Sequence, residues 1–307
     1  MFEDRHQLAT PSGANLAYHS LAAKGHPRAI VLICHGLAEH SCRYGHFAEE
    51  LADHGYHVYA HDHRGHGETQ APDASLGRFG RKGGWRLVIE DVMAMRTLAL
   101  SQHPGLPVIL FGHSMGGLIS LNTAISHPTA FDAVAVWNSN FHPGIAGRVA
   151  QAVLGIERVM KGSDVPSGLL PKATFNAWGK AIPGYRTGFD WLSHDSHEVD
   201  AYIADPLCGF DASVSLWEDI FALTYRGQDQ RKLARLPLTL PINLVGGGED
   251  PATDYGKAVT WFGEHLTSLG FGRTTTTVYP QMRHETLNEV DKATAIEDFI
   301  RWAKSAV

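Results

Sequence analysis

The chain has 307 residues, a formal net charge of −6, 44% hydrophobic residues and 19% charged residues. This composition excludes an intrinsically disordered chain, and the length fits one large domain or a core domain with a substantial insertion. The sequence lacks the basic stretch of a nucleic-acid-binding protein, the run of roughly 18 apolar residues that spans a membrane, and the apolar core of a secretion signal. We therefore expect a cytoplasmic protein without a nucleic-acid partner.

Short apolar runs along the chain predict the strands of a buried, mostly parallel sheet. The sequence opens with a predicted antiparallel hairpin at 6–21, which turns at Ser12 and Gly13. The core runs then follow at 28–34, 56–61, 106–111, 131–137, 241–245 and 274–279. Segments of helical periodicity separate them, the clearest with Trp85, Val88, Val92, Met95 and Ala99 on one face. This alternation predicts an α/β fold in which helices flank a central sheet.

The alternation stops after Ser139, and residues 140–215 contain no convincing core strand. We predict a core formed by 1–139 and 216–307, with a helical cap (lid) inserted at 140–215. One helical face in the cap is apolar and carries Val149, Val153, Ile156 and Met160. We expect this face to pack on the body of the protein. The alternative is a lid surface that contacts an acyl chain or a membrane.

The strongest motif of the chain is Gly-His-Ser-Met-Gly-Gly at 112–117. It directly follows a predicted strand and opens the helical run 118–125, and a serine on such a sharp turn is a nucleophile elbow. Gly112 and Gly116 remove side chains that would collide in the turn. The helix N-terminus also favours developing negative charge at Ser114. We therefore predict Ser114 as a catalytic nucleophile.

An oxyanion hole needs two backbone N–H groups near that serine. One normally belongs to the residue after the nucleophile, which is Met115, and the other to the loop after an earlier strand. The strand at 28–34 runs into His35-Gly36-Leu37, where Gly36 lets the loop bend towards the elbow. We predict the N–H groups of Leu37 and Met115 as the oxyanion donors.

A serine nucleophile also needs a general base and an orienting carboxylate, which follow it in this chain order. The strand at 241–245 leads into a glycine-rich loop with three acidic candidates, and we favour Asp250 over Glu249 and Asp254. The last strand leads into a loop with His284, whereas His265 falls within a predicted helix. We predict Asp250 and His284 as the acid and base of a triad.

We predict neither a metal nor a cofactor. Histidines 61, 63 and 66 are close in sequence, but no further ligands follow at a zinc-site spacing, and a loop turned by glycines explains them. The cysteines Cys34, Cys42 and Cys208 have no metal-ligand spacing, and their odd number argues against a disulfide framework.

The motifs together resemble the monoacylglycerol lipase and lysophospholipase branch of the α/β-hydrolases. The resemblance rests on 35–40 with 43–44, on 61–67, on 112–117, on the loops of Asp250 and His284, and on 198–202 and 205–207 in the cap. It implies a cap that covers the elbow and encloses an apolar acyl tunnel. It also implies that Glu39 and Arg43 lie near a glycerol head group, although a loop-stabilising ion pair is an equal alternative.

The sequence thus predicts a serine hydrolase that cleaves carboxylic esters through an acyl-enzyme on Ser114, with monoacylglycerols or similar lipid monoesters as the favoured substrates. A lysophospholipase, a short-chain carboxylesterase and an acyltransferase would share this machinery. A catalytically silent α/β-hydrolase that only binds is the alternative of another class. The expected partner is a small acyl ester, with transient membrane or micelle contact through the cap, and the oligomeric state is open.

Overall fold

The computed structural model describes residue 2 and residues 4–307, and its centre is one eight-stranded sheet. The strands are β1 (His6–Ala9), β2 (Asn15–Leu21), β3 (Ala29–Cys34), β4 (Tyr56–His61), β5 (Val108–His113), β6 (Ala133–Trp137), β7 (Ile242–Gly247) and β8 (Thr274–Tyr279). Their spatial order is β1-β2-β4-β3-β5-β6-β7-β8. The pairs β1–β2 and β2–β4 are antiparallel, and all other pairs are parallel. The sheet is therefore the mostly parallel one that the sequence predicts.

The inner strands are buried along their whole length, as their continuous apolar sequences require. Strand β8 differs, because it lies at the sheet edge and its threonines Thr275 and Thr276 are exposed. Strands β5 and β7 each end two residues later than the apolar pattern predicts, since His113 and Gly247 still pair with the neighbouring strand. Both extended strands lead into loops that carry predicted site residues.

Helices cover both faces of the sheet. The helices of the described chain are α1 (Gly45–Asp53), α2 (Gly84–Gln102), α3 (Met115–Ser126), α4 (Gly144–Lys161), α5 (Leu170–Ala173), α6 (Phe175–Ala181), α7 (Ser196–Ala204), α8 (Val214–Gly227), α9 (Gln230–Leu233), α10 (Lys257–Ser268) and α11 (Lys292–Ala306). Helices α2, α3, α8 and α10 pack on one face, and α1 and α11 on the other. The predicted stripe of α2 is buried at Val88, Val92, Met95 and Ala99.

The predicted orientation of α4 is wrong. The apolar face that we expected to pack inwards is largely exposed, with Val149 at 58%, Ile156 at 61% and Met160 at 80% exposure. The helix instead packs towards α8 through Leu154 and the small Gly147. No described helix combines the length and hydropathy that a membrane crossing requires.

The contacts of Glu157 are related to the rotation of α4 about its axis. Glu157 lies on the inward side and accepts hydrogen bonds from the Ser167 hydroxyl at 2.6 Å and the Gly168 N–H at 2.8 Å. Glu157 also pairs with Lys161 at 2.9 Å. A carboxylate facing inwards without such partners would be costly, so these contacts favour the observed rotation of the helix. Between β6 and β7 the described chain forms helices and loops only, and we retain 140–215 as the predicted extent of the cap.

Candidate active site

Ser114 lies at the junction of β5 and α3, in a backbone conformation that non-glycine residues rarely adopt. Its φ and ψ are 55° and −119°. A Cβ atom on Gly116 would lie 2.0 Å from the Cys34 carbonyl oxygen, and one on Gly112 would lie 2.2 Å from the Gly116 carbonyl oxygen. Glycine is therefore required at both positions for the strand and helix to meet so closely. The turn has the local geometry of a nucleophile elbow.

The structure brings the three predicted triad residues together. The Nε2 atom of His284 lies 2.9 Å from Ser114 Oγ, and its Nδ1 atom lies 2.9 Å from Asp250 Oδ2. The fully buried Asp250 also accepts hydrogen bonds from the Ala252 N–H at 2.9 Å and the Thr253 hydroxyl at 2.8 Å. These donors fix the carboxylate so that it orients the imidazole.

The two other acidic candidates point elsewhere. Glu249 faces His194, with 3.2 Å between Oε2 and Nε2, and its side chain is 49% exposed. Asp254 pairs with Lys257 on the surface. Neither of these partners is His284, so the geometry favours Asp250 as the partner of the base.

The loop after β3 approaches the elbow from the other side. Leu37 and Met115 line the same cavity as Ser114. The next residue, Ala38, has a φ of 57°, and its carbonyl oxygen accepts hydrogen bonds from the Tyr202 hydroxyl and the Gly209 N–H, both at 2.9 Å. The predicted cap thus holds the loop that carries one predicted oxyanion donor.

A buried ion-pair network occupies the same loop. Arg43 lies between Glu39, at 2.8 Å, and Glu285, which it binds through two N–H groups at 2.5 and 2.7 Å. Glu39 also accepts hydrogen bonds from the Gly36 N–H and the Tyr44 hydroxyl. Glu39 borders the main cavity, whereas Arg43 lies behind it. This arrangement fits a loop-stabilising ion pair more directly than a head-group contact by Arg43.

One member of the site was not predicted. His113 precedes Ser114, is buried, and has Nδ1 3.4 Å from Glu39 Oε1 and Nε2 3.0 Å from the His284 carbonyl oxygen. Burial alone would lower the pKa of His113, but its hydrogen bond and charge contact with Glu39 outweigh burial and raise the pKa. Burial would likewise raise the pKa of Glu39, yet His113 and Arg43 hold that pKa well below its usual range. His113 occupies a variable position of the elbow motif, so the sequence predicts no role for it.

The loop of His284 is also held by a segment that the sequence did not connect to it. The His284 N–H donates to the Trp191 carbonyl at 3.3 Å, and the Glu285 N–H donates to the Leu192 carbonyl at 2.7 Å. The Trp191 and His284 ring centroids lie 4.8 Å apart. Part of the predicted cap therefore packs directly on the predicted base.

Four histidines pack together behind the loop after β3. His35 accepts a hydrogen bond from the His63 N–H at 2.9 Å, and its ring lies 4.3 Å from the His63 ring and 5.2 Å from the His66 ring. His61 packs edge-on against His63. Burial lowers the pKa of all four, to about 3 for His61 and His66. We refer to His35, His61, His63 and His66 as the histidine cluster.

A cavity of about 490 Å³ opens above Ser114 between the core and the predicted cap. Its walls are mainly apolar and include Leu118, Leu170, Phe175, Trp178, Trp217 and Phe221. Its volume lies within the range of small-molecule sites, and its apolar walls favour an apolar ligand group.

The α/β-hydrolase fold and this arrangement of residues define a serine hydrolase. The family model Hydrolase_4, described as serine aminopeptidase, S33, matches residues 25–291. The chain therefore belongs to that family.

Similar proteins of named function indicate which bond the hydrolase cleaves. The chain is 28% identical to the monoacylglycerol lipase of Mycolicibacterium smegmatis over 98% of this chain and 96% of that protein. It is 28% identical to the human monoglyceride lipase over 82% of this chain and 75% of that protein. A carboxyl esterase from Bacillus coagulans, solved in complex with glycerol, superposes with a TM-score of 0.89, 25% identity and 99% coverage of both chains. The chain is a carboxylic ester hydrolase.

Proposed function

We propose that the protein hydrolyses monoacylglycerols or similar lipid monoesters through an acyl-enzyme on Ser114. The observation that carries this proposal is the position of His284, 2.9 Å from both Ser114 and Asp250 at the floor of an apolar cavity. The named monoacylglycerol lipases among the relatives support the choice of substrate.

In the proposed reaction His284 takes the proton of Ser114 as the hydroxyl attacks the ester carbonyl. The N–H groups of Leu37 and Met115 stabilise the oxyanion, and each such donor typically contributes about 10²–10³ in turnover. His284 then protonates the leaving alcohol, and water cleaves the acyl-enzyme by the same route. Asp250 stays ionised and holds the imidazole in the tautomer that accepts the proton.

We propose different roles for the two charged residues of the loop after β3. Glu39 borders the cavity that holds Ser114, so we assign it a contribution to head-group binding. Arg43 acts indirectly, because both of its carboxylate partners are protein residues and its side chain is only 11% exposed. This division combines the two alternatives that the sequence leaves open.

The predicted cap supplies a surface for lipid aggregates in the proposed function. The exposed apolar face of α4 comprises Ile145, Val149, Ile156, Val159 and Met160. Apolar side chains on an amphipathic helix insert into the interfacial region of a bilayer or micelle. Ile156→Asp is therefore expected to lower the rate on micellar substrate but not on a soluble short ester. Asn176→Asp, at an exposed position of the separate helix α6, is the charge-matched control.

The decisive experiment measures initial rates on a matched substrate panel. It contains a medium-chain monoacylglycerol, a lysophosphatidylcholine, a short p-nitrophenyl ester and an aminoacyl anilide, the last because of the family description. Preference for the monoacylglycerol supports the proposal. Preference for the lysophospholipid or the short ester would replace it with a lysophospholipase or a carboxylesterase, and an acyl-transfer product in the presence of alcohol would indicate an acyltransferase.

Ser114→Ala is the control for every substrate of the panel. We expect turnover to fall by several orders of magnitude, with a residual rate of about 10³–10⁴ over water. The wild type should react with a fluorophosphonate probe and the variant should not. A wild type that neither reacts with the probe nor hydrolyses any ester would instead be a silent member of the fold.

A further inference from the structure

A second cluster of chemically active side chains lies outside the triad. It joins His40, which follows the loop after β3, to Asp205 and Cys208, which follow α7. The His40 Nε2 atom, a carboxylate oxygen of Asp205 and the Cys208 sulfur all lie within 4.8 Å of one another. The shortest of these distances joins His40 Nε2 to Asp205 Oδ2 at 2.8 Å.

The three donor types are those of a borderline metal ion. Imidazole nitrogen, carboxylate oxygen and thiolate sulfur are the protein ligands of Zn²⁺, at about 2.0–2.3 Å from the ion. Ligands about 2.0–2.3 Å from a shared ion lie within about 4.6 Å of one another, close to the separations of the three atoms here. Three protein ligands leave a fourth tetrahedral position open for water.

The surroundings favour such an ion. His40 and Cys208 are buried at 8% and 9% exposure, whereas Asp205 is partly exposed and offers an entry path. The second carboxylate oxygen of Asp205 accepts the Leu207 N–H at 2.8 Å, which orients the first towards His40. Such outer contacts typically orient the ligands of a metal.

The charges nearby do not oppose a cation. Burial raises the pKa of the Cys208 thiol and the guanidinium of Arg43 opposes this rise, but Arg43 is itself bound by both Glu39 and Glu285. The three carboxylates Asp205, Glu39 and Glu285 therefore outnumber the one guanidinium of Arg43. A divalent ion would therefore enter a region of net negative charge.

We propose that His40, Asp205 and Cys208 bind Zn²⁺ or a divalent ion of similar softness. On binding, the Cys208 thiol releases one proton to solvent, and the imidazole proton of His40 moves from Nε2 to Nδ1. The ion joins the loop after β3 to the segment after α7. The adjacent hydrogen bond from the Gly209 N–H to the Ala38 carbonyl already links these two segments. The proposal does not depend on the substrate of the enzyme.

The test is a titration of metal-stripped wild-type protein with ZnSO₄ in buffer free of thiols and chelators. We expect one equivalent to bind by calorimetry and by native mass spectrometry. At about a hundredfold excess over the dissociation constant, Tm should rise by about 4 °C, and chelation should reverse the rise. Apparent affinity should increase with pH because the thiol loses a proton. Co²⁺ should give a thiolate-to-cobalt charge-transfer absorption.

Matched cysteine variants distinguish this site from incidental thiol binding. Cys208→Ser should abolish the stoichiometric binding and the Co²⁺ absorption. Cys42→Ser should retain both, because the exposed Cys42 sulfur contacts His19, at 3.0 Å from Nε2. Absence of binding by the wild type overturns the proposal, as does loss of binding in Cys42→Ser with retention in Cys208→Ser. If Cys208→Ser fails to fold, the Co²⁺ spectrum of Asp205→Asn is measured instead. A changed spectrum supports the proposed ligand set, and an unaltered one overturns it.

Discussion

The Nε2 atom of His113 lies 3.0 Å from the carbonyl oxygen of His284. The residue before Ser114 therefore contacts the backbone of the proposed base. Its other ring nitrogen faces Glu39, so one imidazole connects the loop after β3 with the loop after β8. The ring therefore couples the position of Glu39 to that of the His284 backbone.

Replacing His113 tests that coupling. We expect His113→Phe to lower kcat about tenfold with little change in KM, because a ring of similar shape fills the space but makes neither hydrogen bond. Steady-state kinetics on the short ester measure the effect, and His197→Asn, an exposed histidine of α7, is the control. An unchanged kcat would show that His113 only fills space.

The choice among the acidic candidates can be tested by isosteric amides. Asp250→Asn should lower kcat by about 10⁴, because the amide donates to Nδ1 of His284 and favours the wrong tautomer. Glu249→Gln should keep more than half of the activity, since its side chain faces His194 at the surface. Equal losses in the two variants would contradict the assignment.

The buried ion pair of Arg43 should dominate the stability of the loop after β3. Arg43→Leu leaves Glu39 and Glu285 without their shared cation, and we expect the free energy of unfolding to fall by about 3–5 kcal/mol. Urea denaturation at neutral pH measures the loss. Adding Glu285→Gln to this variant should recover part of it, and a loss below about 1 kcal/mol would exclude the role we give to Arg43.

The histidine cluster predicts acid sensitivity. Burial lowers the pKa values of its four members, so below about pH 6.5 the unfolded chain takes up protons that the folded chain does not, and for His61 and His66 this difference persists to about pH 3. Stability is therefore lost as the pH falls through this window. Each histidine that stays neutral in the folded chain contributes a slope of up to about 1.4 kcal/mol per pH unit once the unfolded chain is protonated.

Denaturation curves between about pH 6.5 and pH 5 measure this slope. His63→Phe should reduce it by up to about 1.4 kcal/mol per pH unit, a limit approached towards pH 5, whereas His197→Asn should not change it. His113 does not offset the loss. Because its pKa is raised, its contribution to stability is already present at low pH and is lost only as the pH rises. A slope unaffected by His63→Phe would refute the explanation.

The core of the fold follows from local patterns in the sequence. Continuous apolar runs predict buried parallel strands, and four of the five predicted stripe positions of α2 are buried, Trp85 being the exception. The elbow at 112–116 could be recognised because the tight turn leaves no room for side chains at its two glycines. The edge position of β8 was not evident, because the order of strands depends on tertiary contacts.

The errors and omissions have a common physical origin. The rotation of α4 depends on the partners that Glu157 finds at 167–168, which no helical periodicity reveals. The contacts of His113 join residues that are 74 and 171 positions away in the chain. The proposed ligands His40 and Asp205 are separated by 165 positions, so no metal-site spacing exists for a motif to detect.

The attachment of Trp191 and Leu192 to the loop of His284 has a consequence for the time course of folding. The contact joins residues roughly ninety positions apart, and the parallel pairs β3–β5 and β6–β7 must also form across long intervening segments. Contacts of such separation carry a high loop-closure cost and form slowly. Esterase activity should therefore return last during refolding, after the secondary structure has already recovered.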